Sequence, residues 1–198
     1  MRRDNKQLEK NMRSIMHTLF AASLAVAGTL AAGQAKAHFV PAPCDFITGG
    51  GWVLNDTGDQ DNFGSHGGCK NGAFWGNVNI LDHSYNPPGH LKSTEITGYL
   101  MDPEFPNARD ICGFADVKVN GATTNMRFRV RMEDNGEPGA NDRFGVRLMN
   151  GYHVSTRQIG PADKNGGGNI QLHKPNPSTT GPTPPPTEAE MCGGLMTP

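Results

Sequence analysis

Residues 125–133, NMRFRVRME, alternate apolar and basic side chains without a break. Met126, Phe128, Val130 and Met132 fall on one side, and Arg127, Arg129 and Arg131 on the other. A period of two fits an extended strand with one face buried and one face wetted, and it fits no helix. Residues 143–149, RFGVRLM, repeat the pattern with Phe144, Val146 and Leu148. Between the two runs, DNGEPGAND is a string of turn formers, so the pair predicts an antiparallel hairpin. Shorter strands are expected at 46–48, 52–54, 74–81, 94–101, 111–119, 152–158 and 169–173, separated by glycine, asparagine and proline clusters. Glycine and proline number 26 and 15 of 198 residues. Each costs a helix interior ~1 kcal/mol or more, which argues against a bundle or coiled coil. The expected fold is all-β, a single-domain β-sandwich or jelly-roll-like arrangement.

The first residues read differently. An apolar run over 14–33 follows Arg2, Arg3, Lys6, Lys10 and Arg13 and ends at Ala35-Lys36-Ala37. A basic stretch, an apolar stretch and a small-residue cleavage site together predict a secretory signal peptide. The expected organisation is therefore a signal peptide over 1–37, a lead-in over 38–43, a β domain over 44–174 and a disordered tail over 175–198. The tail carries Pro175, Pro177, Pro182, Pro184, Pro185, Pro186 and Pro198. Cleavage would remove six of the 18 Lys+Arg and two of the 19 Asp+Glu, leaving 12 basic and 17 acidic groups, a net charge of −5. An acidic surface lacks the basic footprint of a nucleic-acid binder. No transmembrane segment is expected after processing, and the destination is the periplasm, the cell surface or the extracellular space. The four cysteines, Cys44, Cys69, Cys112 and Cys192, contain no C-x-x-C pair and predict two disulfides, with three connectivities open. Cys192, in the proline-rich stretch, is the one whose pairing is least constrained.

The ordered strings CDFITGGGW (44–52), NFG (62–64), FWGNVNILDH (74–83), ITGY (96–99), DNGEPG (134–139), DRF (142–144), NGY (150–152) and GGNIQLHK (167–174) resemble the post-COAP family of secreted bacterial β-rich domains. The likeness covers residues 44–174. It implies an exported β-rich module and carries over no catalytic or ligand residue.

Three groups of residues are candidate sites. Arg127, Arg129 and Arg131 share a strand face, and the hairpin adds Arg143 and Arg147. Such a basic stripe suits a sulfated or carboxylated glycan, or an acidic protein, although a solvated face partnered by Glu133 explains the same pattern. Two acidic loops, Asp56/Asp59/Asp61 and Asp134/Glu137/Asp142, are candidate calcium ligands. Neither has EF-hand spacing, and Asn/Asp-Gly strings make turns in any case. Cleavage after Ala37 would leave His38 with a free α-amine, half of a copper-binding histidine brace of the kind that opens lytic polysaccharide monooxygenases. His66, His83, His90, His153 or His173 would be its second imidazole. Trp52, Trp75, Phe74 and Tyr85 are expected mainly in the core, with a sugar platform as the alternative if a tryptophan faces outward. No spacing suggests a nucleophilic triad. The expectation is a non-catalytic binding or structural module with no required cofactor and an extracellular glycan or protein as partner. A copper-dependent oxidative enzyme and a calcium-stabilised spacer are the alternatives.

Overall fold

The computed structural model describes residues 36–160 and 167–198. The expected leader lies outside them, apart from Lys36 and Ala37. Nine strands follow one another along the chain: β1 (Phe46–Leu54), β2 (Gln60–Lys70), β3 (Ala73–Asp82), β4 (Gly89–Met101), β5 (Ala108–Val119), β6 (Ala122–Glu133), β7 (Arg143–Leu148), β8 (His153–Gln158) and β9 (Gly168–His173). They form one sheet in the order β8-β7-β6-β5-β4-β3-β2-β1-β9. All neighbours are antiparallel, so the chain runs up and down until β9 returns to pair with β1. The sheet curls until its inner face meets itself. Phe63 of β2 stacks on Phe144 of β7 with ring centroids 3.9 Å apart. The space beside Gly49 of β1 is filled by Ile170 and by Met132 of β6. All-β is thus the observed class, formed by one curled nine-stranded antiparallel sheet.

The alternation predicted for 125–133 and 143–149 sets the inner face. Phe128, Val130, Met132, Phe144, Val146 and Leu148 are buried in one core with Ile47, Val53, Val78, Ile80, Tyr99 and Ile111. β6 and β7 pair in register from Phe128↔Leu148 to Glu133↔Arg143, as the turn-rich loop between them predicts. β2 has no counterpart among the expected strands. Its inward positions are Asp61, Phe63, Ser65, Gly67 and Cys69, too polar and small to show alternation. Gly67 is needed there: a β-carbon would lie 2.8 Å from Ile111 Cδ1.

The stretch after Pro175, expected to be a disordered tail, is instead laid against the sheet. Asn71 and Gly72 donate backbone N–H groups to the carbonyls of Ser178 and Thr180, both at 2.9 Å. A short helix, α1 (Glu188–Cys192), is closed by a Thr187/Glu190 capping box and ends at Gly193 in the left-handed conformation. Cys192 bonds to Cys112 of β5, and Cys44 to Cys69. Leu100, Cys112, Met191 and Cys192 make a second, smaller core on the outer side of the sheet. Proline-rich composition predicts the absence of regular structure but not of packing, and here a covalent bond and apolar burial supply the packing. Among the described residues no helix is long and apolar enough to cross a membrane.

Candidate functional site

The outward side chains of β9, β1, β2 and β3 form rows across the strands, fixed by register. His173, Phe46, Gly68 and Trp75 make one row; Gln171, Thr48, His66 and Asn77 the next; Asn169, Gly50, Gly64 and Asn79 the third; and Trp52, Asn62 and Leu81 the fourth. Successive rows are ~6.6 Å apart and the four strands span ~14 Å. Phe46 stacks on His173 at 4.3 Å, and its centroid lies 6.1 Å from Trp75, which is 5.3 Å from His66. Phe46 closes over the backbone of Gly68, where a β-carbon would fall 2.4 Å from Phe46 Cβ. None of these outward positions carries a carboxylate, and the only cation on this face of the four strands, Lys70, stands at the far end of β2. Glu137, from a neighbouring loop, accepts a hydrogen bond from Asn169 Nδ2 at the β9 edge. Beyond Asn79↔Lys92 the strands β3 and β4 separate, opening a cleft of about 360 Å³ beside Trp75. Trp75 Nε1 is buried without an acceptor. Trp52 and Trp75, expected mainly in the core, both belong by register to the outward set.

The arginine stripe faces outward, as its parity predicts, but it is not free. Arg129 and Arg131 are 1% and 5% exposed. Both guanidinium groups pair with Asp110 of β5; Arg131 also meets Asp102 at 2.6 Å, and Arg129 meets Glu188 of α1 at 2.7 Å. Arg129 Nη1 and Arg147 Nη2 donate to the carbonyls of Leu195 and Thr197. Arg127 lies over the Phe114 ring at 4.5 Å. Arg143, the most open of the five, meets Glu133 at 3.6 Å and the Thr156 carbonyl at 2.7 Å. The expected binding stripe is therefore an internal lock between the sheet and its C-terminal cover. The cover could not be read from the sequence because its ligating groups are mostly backbone carbonyls.

His38 joins the same cluster. Its backbone nitrogen donates to Glu188 Oε2 at 3.0 Å, its Nδ1 lies 3.1 Å from Glu188 Oε1, and its Nε2 lies 3.0 Å from Asp102 and 2.8 Å from Arg131. The two nitrogens that a copper brace would use both face one carboxylate. The other histidines stand elsewhere: His66 by Trp75, His83 on Asn62, His90 on Asn79, His153 on Asp56 and His173 on Thr48. The arrangement does not fit a brace.

The acidic loops use their carboxylates for other work. Asp56 pairs with Arg157 and lies 3.3 Å from His153. Asp59 Oδ2 accepts from the Thr57 hydroxyl. Asp61 points into the core. Asp134 accepts from the Gly136 and Leu172 amides, and Asp142 from those of Asn135 and Ile170. Burial raises the pKa of Asp142 against those two bonds. These carboxylates cap turns and hold β9 in place, and neither set converges as calcium ligands would. Among the described residues no group of three or more His, Cys, Asp or Glu side chains is arranged to hold a metal.

One polar cluster escaped the sequence reading. Arg109 donates to both Asp45 oxygens, at 3.0 and 2.5 Å, while the Tyr99 hydroxyl donates to Asp45 Oδ1 at 2.7 Å. Burial, with the Asp45 charge beside it, raises the Tyr99 pKa well above its ordinary value. This inward group ties the β1 entry to β4 and β5. The two charged residues stand 64 positions apart, which no local pattern reveals.

The fold and site together define a disulfide-bonded all-β protein with one arginine-rich, covered face and one face whose centre carries aromatic rings and amides. No family model, curated protein or solved structure matches the chain.

Proposed function

We propose that this protein is an exported, non-catalytic binding module of the bacterial cell surface or extracellular space, and that it binds through the outer face of β3, β2, β1 and β9. One observation carries the reading: this face presents aromatic rings and amides without a carboxylate, while the charged face opposite is sealed by the chain itself. Two disulfides fit an oxidising compartment. The leader predicted over 1–37 and the likeness to post-COAP domains point the same way. The test is co-sedimentation of the mature protein with the insoluble extracellular matrix of the producing cells. Wild type and Arg143→Ala should be retained, and Trp75→Ala and Asn79→Asp released, all four with cooperative melting. Retention that ignores Trp75 and Asn79 would show that this face is not the binding surface.

A further inference from the structure

We infer that the open face takes a neutral polysaccharide chain, lying across the strands in the furrow floored by Gly50 and Gly64; this rests on the binding-module reading. A β-carbon at Gly64 would meet nothing within 4 Å, and one at Gly50 would approach only the backbone of Phe63 and Gly64. No side chain roofs the floor. The furrow runs between the row of Thr48, His66 and Asn77, with Phe46 and Trp75 one row further out, and the row of Trp52, Asn62 and Leu81. Across four strands it offers ~14 Å, room for a few sugar rings.

The chemistry selects among occupants. A pyranose ring has an apolar C–H face and a rim of hydroxyls that both donate and accept. Aromatic faces match the first. Amides match the second, because each offers an acceptor and two donors on one side chain, and Asn62, Asn77 and Asn79 border the furrow. Between β9 and β3 no cation stands along the furrow to pair with a uronate or sulfate; Lys92 of β4 lies past its end, beside Asn79. An anionic membrane needs lysine and arginine clusters, which the face lacks. A protein interface centres on packed Trp, Tyr, Arg and Met anchors, whereas the centre of this face is glycine.

The experiment is affinity gel electrophoresis of the mature protein in xyloglucan, mixed-linkage β-glucan, galactomannan and dextran, with alginate and heparin as anionic probes. It is paired with retention on extracellular matrix treated with periodate or with protease. At least one neutral polysaccharide should retard the protein, with retardation unchanged in about 0.5 M salt. Trp75→Ala and Asn79→Ala should each weaken it roughly tenfold or more, a loss of ~1.4 kcal/mol, and Arg143→Ala should leave it unchanged. Matrix retention should survive protease and be lost on periodate oxidation of vicinal diols. Retardation by the anionic probes alone, or retention lost to protease and kept after periodate, overturns the neutral-glycan assignment. If retention still depends on Trp75, the binding-module reading survives that failure; if it does not, both fail.

Discussion

Asp61 lies on the inward side of β2, with the Tyr152 hydroxyl 2.5 Å and Asn55 Nδ2 3.2 Å from its carboxylate. Burial pushes its pKa from 3.8 to about 7; Tyr152 and Asn55 oppose the rise, and the Asp82 charge adds to it. The folded protein therefore holds a proton that the unfolded chain has released between pH ~4 and ~7, so stability falls as pH rises through that window. Asp102 behaves oppositely. Burial would raise it, but the Glu104 amide and the Arg131 guanidinium outweigh burial and hold it at about 2. Its contribution is complete above the unfolded value and is lost as pH falls toward 2. Stability should peak in the mildly acidic range. Asp61→Asn, which keeps the Tyr152 acceptor and removes the titration, should raise the melting temperature by ~3 °C or more at pH 8 and change it little at pH 5. Equal shifts at both values would rule out Asp61 as the titrating group.

At the scale of elements, α1 and its disulfide decide what the arginine strand can do. Replacing Cys112 and Cys192 with serine removes a closure across 80 residues, worth about 2–4 kcal/mol. It should expose Met191 and Leu100 and open trypsin sites at Arg127 and Arg129, which limited proteolysis reads directly; protection equal to wild type would show that hydrogen bonds alone hold the cover. The strands themselves were largely legible. Wherever the inward residues are large, as in 126–132 and 144–148, alternation placed the strand and its faces. β2 was invisible because Asp61, Ser65 and Gly67 fill its inward positions. The arginine face was legible in direction but not in environment. Parity says which way a side chain points, and nothing local says that Asp110, Asp102 and Glu188 will arrive to meet it. The aromatic rows were hidden for the same reason: Phe46, His66, Trp75 and His173 become neighbours only through register.

Over the whole molecule, the two bridges shape how the chain carries load. A pull applied at Cys44 and Cys192 would have 148 residues to draw out if the cysteines were reduced, ~500 Å of contour. With the bridges closed, force passes from Cys44 directly to Cys69 and from Cys112 directly to Cys192. Only the 42 residues between Cys69 and Cys112 can lengthen, ~150 Å. Single-molecule stretching should show that short increment in oxidising buffer and the long one after reduction; one increment under both conditions would contradict the pairing. The segments that can pay out are β3, β4 and the first part of β5, and β3 carries Trp75, Asn77 and Asn79. A surface protein built this way would act as a short tether with a built-in release. Tension sufficient to peel β3 from β2 would remove the Asn79 end of the furrow while leaving the chain covalently intact and nearly unextended elsewhere.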